Sequence, residues 1–139
     1  TDFLPFAALA DMPLAMTAHV VYSALDPDRP ATLSNTVITE IIRGELGFSG
    51  VLICDDLGMA ALSGGFDERA AAALGAGCDL VLHCSGNMDE MQAVATALRP
   101  APAAVTAAFA GRGGATRFEW ERALARLDAL LAPVAEPPA

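Results

Sequence analysis

The sequence predicts an α/β fold of about three βα units, a portion of a TIM-type (β/α)8 barrel, followed by a terminal helix. Three observations carry this. Apolar, β-rich runs at Leu14 to Val21, Val51 to Cys54 and Leu80 to Cys84 start about 30 to 37 residues apart, the length of a βα unit. Each run ends abruptly in polar or reactive residues, as strands do whose carboxyl ends open into a site. Each is followed by a helix signal. A closed eight-unit barrel needs ~250 residues, so 139 residues hold a fragment of one. An open doubly wound sheet has the same period, but such sheets commonly carry a glycine-rich, phosphate-binding first turn, and Asp55-Asp56-Leu57-Gly58 is not one.

The elements follow in order. The first run ends in Met16-Thr17-Ala18-His19-Val20 and leads to Asp26-Pro27-Asp28-Arg29-Pro30, turn chemistry with fixed proline geometry. Ser34 is an N-cap, Val37, Ile38, Ile41 and Ile42 form a helical stripe, and Gly47 is the stop. After the second strand an alanine-rich helix runs from about Asp67 to Gly77, with Asp67 and Glu68 complementing its positive end. After the third strand, Asn87 and Glu90 form a capping-box pattern before Met91, Val94 and Leu98, and Pro100 ends that helix. Residues 1–99 are thus read as a partial barrel and residues 100–115, rich in Pro, Ala and Gly, as a linker. Residues 116–132 are read as a helix through Trp120, Leu124, Leu127 and Leu131 that packs on the barrel, and residues 133–139 as a fraying tail.

Composition narrows the function. A 54% hydrophobic content excludes a disordered tail. Seventeen acidic against eight basic residues give a formal charge of −9, which argues against nucleic acid or an anionic membrane surface as partner. Cys54, Cys78 and Cys84 cannot all pair internally and do not form a CxxC knuckle, so a reducing cytoplasm is expected. No apolar run reaches the roughly 20 residues of a membrane helix. The chain opens on Thr1 rather than Met, and an amino-terminal portion is expected to precede it.

Asp55 and Asp56 are the most informative residues. At the mouth of a parallel sheet, Asp55 reads either as a nucleophile or general acid/base or as a plain cap on the following turn. Strand alternation puts Asp55 on the side of Val51 and Ile53 and Asp56 on the opposite face, where it would hold loop amides or a neighbouring strand. His19 ends the first strand and His83 and Cys84 the third, and each histidine is either a site residue or a satisfied, partly buried one. Met59 and Met16 read as core filler or ligand contacts, and Arg29 as a substrate clamp or a solvated charge. No His/Asp/Glu set at ligand spacing supports a metal.

Four separated segments, Ala18-His19-Val20, Ala24 through Ser34, Glu45 through Val51, and Asp55-Asp56-Leu57-Gly58-Met59, together resemble bacterial β-N-acetylglucosaminidases (β-hexosaminidases) of glycoside hydrolase family 3. The match covers residues 2 to 98, and Phe118 to Leu131 resembles the family's carboxyl-terminal end. The resemblance implies the carboxyl-terminal part of the catalytic barrel, with Asp55 as nucleophile and Cys54 in place of a hydroxyl residue. It also implies His19 and Met59 as substrate contacts, no cofactor and no metal, and a monomeric bacterial cytoplasmic parent. The Leu57-x-Met59 ending favours an N-acetylated amino sugar, with muropeptide-derived disaccharides as the implied substrate. A β-glucosidase, a β-xylosidase or a non-catalytic fragment is the alternative. The family's acid/base histidine lies in a Lys-His-Phe-Pro-Gly-His-Gly-Asp type loop, which this sequence does not contain. The chain alone is therefore expected to be inactive.

Overall fold

The computed structural model describes residues 2–110 together with Arg122, Leu124, Ala125, Arg126 and Ala129. The chain divides into two compact units, Thr1–Phe109 and Ala110–Ala139. The first contains a short helix α1 (Leu4–Ala7), strand β1 (Leu14–Met16), a single 3-10 turn (Ala31–Leu33), a wide helix (Val37–Glu45), strand β2 (Val51–Asp56), helix α2 (Phe66–Ala76), strand β3 (Leu80–Leu82), helix α3 (Met88–Thr96) and helix α4 (Ala103–Phe109). In the second unit the five described residues are helical, and the rest of the helix expected over 116–132, with the tail 133–139, lies outside the described residues.

All three strands are parallel in the order β1-β2-β3. Parallel neighbours need crossovers, which the wide helix and α2 supply. One face of the sheet is sealed: Leu52 and Cys54 of β2 meet Ile38 of the wide helix, Ala70, Ala73 and Ala76 of α2 and Val94 of α3 in a single buried core. Alanines on the inner side of α2 let that helix lie close to the sheet. On the other face, Leu14 and Met16 of β1, paired with Val51 and Ile53 of β2, are 36% and 55% exposed, although Val51 itself is buried.

The helix after β1 is wound more loosely than its stripe suggests. The amide of Leu46 reaches the carbonyl of Ile41, five residues back, at 2.8 Å, so this is a π-type segment. Ser34 caps it as expected, its Oγ accepting the Val37 amide at 3.1 Å, and Gly47 turns the chain away at φ +70°. Gly77 ends α2 at φ +121°, against Ile38.

The amino ends of β2 and β3 are tied by one arginine. Arg43 donates to the carbonyls of Phe48 (3.1 Å) and Gly50 (2.6 Å) and to Asp79 Oδ2 (2.8 Å), and that same oxygen accepts the Leu52 amide at 2.8 Å. The guanidinium also stacks over Phe48.

Three sequence expectations change here. The first strand is shorter than Leu14 to Val21, because pairing to β2 lapses after the Thr17 amide reaches the Ile53 carbonyl. The third ends at Leu82 rather than Cys84, where the bulged end of β2 breaks the ladder. The linker expected over 100–115 contains α4, whose Val105 is buried, so small residues build a packed helix there rather than an open connection.

Candidate active site

The carboxyl ends of the three strands bring together Thr17 to His19, Asp55 and Asp56, and His83 to Ser85. Between Ile53 and Asp56, β2 carries one more residue than β3 does between Leu80 and Leu82, a bulge of the kind that re-aims side chains near sites. The Leu82 amide donates to Cys54 Sγ at 3.2 Å there, and the ladder resumes where the Leu57 amide meets the Leu82 carbonyl at 2.9 Å. Cys54 is fully buried among the helices, and burial pushes its thiol up to about 11.

Asp55 is half-buried. Its Oδ1 accepts the amide of Asp56 at 2.8 Å, its one side-chain hydrogen bond among the described residues. Asp56 has a different environment. One oxygen, Oδ1, accepts the amides of Gly58 (3.0 Å) and Cys84 (3.0 Å), pinning the turn after β2 to the end of β3. The Gly58 amide holds this carboxyl below the ordinary carboxylate value; the Cys84 amide and the nearby His83 and His19 act in the same direction, against partial burial. Asp56 thus holds loop amides, as expected from sequence.

His19 faces inward. Its Nε2 donates to the Asp56 carbonyl (3.0 Å) and its Nδ1 meets Thr32 Oγ1 (2.9 Å), which in turn meets Thr17 Oγ1 (2.8 Å). With Nε2 as donor, a chain runs from the Thr17 hydroxyl through Thr32 to His19 and on to Asp56. Both ring nitrogens are thereby engaged within the protein, so the hydrogen bonds of His19 support the turn that carries Asp55 rather than supply a free group to a ligand. Met59 is 42% exposed, and its amide donates to the same Asp56 carbonyl at 3.1 Å.

Two features escaped the sequence, and a third, the turn at Asp26, was read from it without its Ser34 partner. Arg69 of α2 donates to the carbonyls of Leu57 (2.7 Å) and Gly64 (3.0 Å) and lies over the Phe66 ring, clamping the loop that follows Asp56. Glu90 does not return to the Asn87 amide, as a capping box requires. It binds His83 Nε2 at 3.0 Å and the Ser85 hydroxyl, while the Asn87 amide goes to Ser85 Oγ. Asn87 itself caps α3 through the Asp89 and Glu90 amides. Asp26 accepts the Asp28 amide (3.1 Å) and the Ser34 hydroxyl (2.6 Å), a local turn joined to the helix cap, while Arg29 is exposed beside it. Only the Asp26 turn had a legible signal, in its proline spacing; the partners of Arg69 and Glu90 are set by tertiary approach.

Among the described residues no group of three His, Cys, Asp or Glu side chains gathers to hold a metal ion, and the three cysteines are free. No helix among them is long and apolar enough to cross a membrane.

A parallel sheet sealed by helices on one face, with a carboxylate pair at the open end of its central strand, defines an α/β protein with a polar site at the strand ends, where such folds place their ligands. Residues 1–109 match the Glycosyl hydrolase family 3 N terminal domain, and the chain belongs to that family. It is 44% identical over 133 residues to a beta-hexosaminidase of Chromobacterium violaceum, covering 91% of this chain and 37% of that protein. It is 49% identical over 105 residues to a beta-hexosaminidase of Alkalilimnicola ehrlichii, covering 73% and 29%. Among solved structures it resembles native NagZ from Neisseria gonorrhoeae, with a TM-score of 0.66 and 34% identity over 78% of this chain and 32% of that one. A family 3 beta-N-acetylglucosaminidase from a Paenibacillus species gives a TM-score of 0.62 and 35% identity over 97% and 26%. The chain thus spans well under half the length of these relatives.

Proposed function

We propose that this chain supplies the nucleophile-bearing part of a retaining β-N-acetylhexosaminidase, with Asp55 as nucleophile. The observation that carries the reading is the contrast between adjacent carboxylates: Asp56 Oδ1 accepts two loop amides, whereas Asp55, half-buried at the mouth of the central strand, accepts only its neighbour's amide among the described residues. An aspartate in that position can attack an anomeric carbon as the aglycone leaves. The glycosyl ester is then displaced by water, and two inversions give retention. The first step calls for an acid to protonate the leaving oxygen, and the family's acid/base loop does not occur in this sequence. The chain by itself is therefore expected not to turn over substrate.

The three βα units are proposed to be part of a (β/α)8 barrel, whose interior the apolar face of Leu14, Met16 and Ile53 would line. Met59, exposed in the turn after β2, is proposed to touch the sugar, and His19 to act from behind the turn. An N-acetylglucosamine unit cut from peptidoglycan fragments, in a bacterial cytoplasm, is the substrate that the resemblance favours.

The test exchanges residues 2–98 into the matching segment of the Chromobacterium violaceum relative and treats the chimera with 5-fluoro-N-acetylglucosaminyl fluoride. Fluoride leaves without protonation, so the probe isolates nucleophilic attack. Mass spectrometry is expected to find the sugar on the peptide holding Asp55, and Asp55→Asn to abolish it. A label on another carboxylate overturns the proposal.

A further inference from the structure

We infer that Glu90, His83 and Asp56 form a positioning relay for the turn that carries the nucleophile, in which His83 Nδ1 carries a proton aimed at Asp56 Oδ1; this rests on the nucleophilic role of Asp55. His83 is a buried ring, its side chain 5% exposed, packed edge-on against Phe66 at 4.8 Å between centroids. On one side its Nε2 lies 3.0 Å from Glu90 Oε2 and 2.8 Å from Ser85 Oγ. On the other side its Nδ1 is buried, has no hydrogen-bond partner, and lies 3.7 Å from Asp56 Oδ1.

An unpaired nitrogen in such a place is costly, and the group facing it decides its state. An ionised carboxylate only accepts, so the pair is attractive only when Nδ1 holds the hydrogen. The opposite side makes the same demand on the ring. The Ser85 hydroxyl already donates to Glu90 Oε2, so Nε2 holds a hydrogen toward that same oxygen, and a carboxylate on each side calls for a hydrogen on each ring nitrogen. The remaining gap is less than 1 Å longer than a hydrogen bond of ~3 Å. Site hydrogen bonds that are long without substrate often tighten once it binds.

Closing that gap would act on more than Asp56. Its amide holds Asp55 Oδ1, its carbonyl receives Met59 and His19, and its carboxylate holds Gly58 and Cys84. A pull on this one residue reaches the nucleophile and the proposed sugar contact together. Glu90 anchors the far end on α3, so the relay ties a helix to the bulged end of β2.

Two measurements test this. In the 139-residue chain, the 15N shift of His83 Nδ1 is expected to be that of a protonated nitrogen; the shift of a bare nitrogen overturns the relay whatever the enzyme does. In the chimera, His83→Asn keeps a donor near the Nδ1 position, whereas His83→Gln places its amide toward Nε2. With the fluoride probe, His83→Gln is expected to lower the first-order labelling rate about tenfold at unchanged half-saturation, and His83→Asn to stay within about threefold of the unsubstituted chimera. Equal behaviour of the two variants, or a change in half-saturation alone, overturns the positioning role. An unsubstituted chimera that labels elsewhere than Asp55 defeats the nucleophile assignment and the positioning role, while the nitrogen shift still decides the His83–Asp56 contact.

Discussion

Cys54 and Leu82 are joined across the bulge by an amide-to-sulfur hydrogen bond of 3.2 Å, so a core thiol serves as the acceptor where the regular ladder between β2 and β3 lapses. Removing that acceptor and leaving a small void should destabilise the chain. Cys54→Ala is expected to cost about 1–3 kcal/mol in urea unfolding. Cys54→Ser keeps an acceptor and is expected to cost less. Equal losses for the two would mean that the sulfur contributes volume only.

The three thiols should react in two classes. Cys84 is exposed, whereas burial pushes the thiols of Cys54 and Cys78 up to about 11 and about 12. Because the thiolate is the reactive form, iodoacetamide at neutral pH should label Cys84 first. Mass spectrometry should find all three labelled once guanidinium unfolds the chain. Rapid native labelling of Cys54 or Cys78 would contradict their burial.

Stability should fall with acid through Asp26 and Asp56. Both titrate below the unfolded value of 3.8, the first mainly through the Ser34 hydroxyl and the second mainly through the Gly58 amide. A depressed carboxyl contributes fully above the unfolded value and loses its contribution as pH falls through the folded one. Melting temperature should therefore drop below about pH 4, and Asp26→Asn and Asp56→Asn should each melt lower at pH 6 but lose less between pH 6 and pH 3. A variant with the unsubstituted pH slope would remove that carboxyl from the account.

Gly50 and Gly47 separate two reasons for glycine. A Cβ at Gly50 would lie 2.5 Å from the Met12 carbonyl oxygen and 2.7 Å from that of Pro13, so Gly50→Ala must displace backbone and is expected to cost about 3 kcal/mol. At Gly47 the space is open and only φ +70° resists a side chain, so Gly47→Ala is expected to cost about 1 kcal/mol. Urea midpoints for the two variants should differ accordingly.

The strands and the α2 and α3 helices were legible because apolar runs, acidic first turns and Asn87 act over a few residues. The hold of Asp56 on loop amides was legible too, because strand alternation set it apart from Asp55. The rest depends on distant approach. Thr17 and Thr32 meet only when the loop between β1 and the wide helix folds back, and Glu90 leaves its local cap for His83 and Ser85. The wide helix was hidden because Ile38 and Ile42 suit both an α and a looser winding. The α4 segment looked like a connection because alanine and proline announce no apolar stripe, although Val105 finds a buried place.

The clamp of Arg43 on Phe48, Gly50 and Asp79 gives the sheet a mechanical polarity. One rim is locked by a charged knot against tightly fitted backbone; the opposite rim is held by side chains that reach between loops around an inserted residue. Changes at that second rim can accumulate without disturbing strand alignment, so this chain keeps evolvability and foldability at opposite ends of the same three strands.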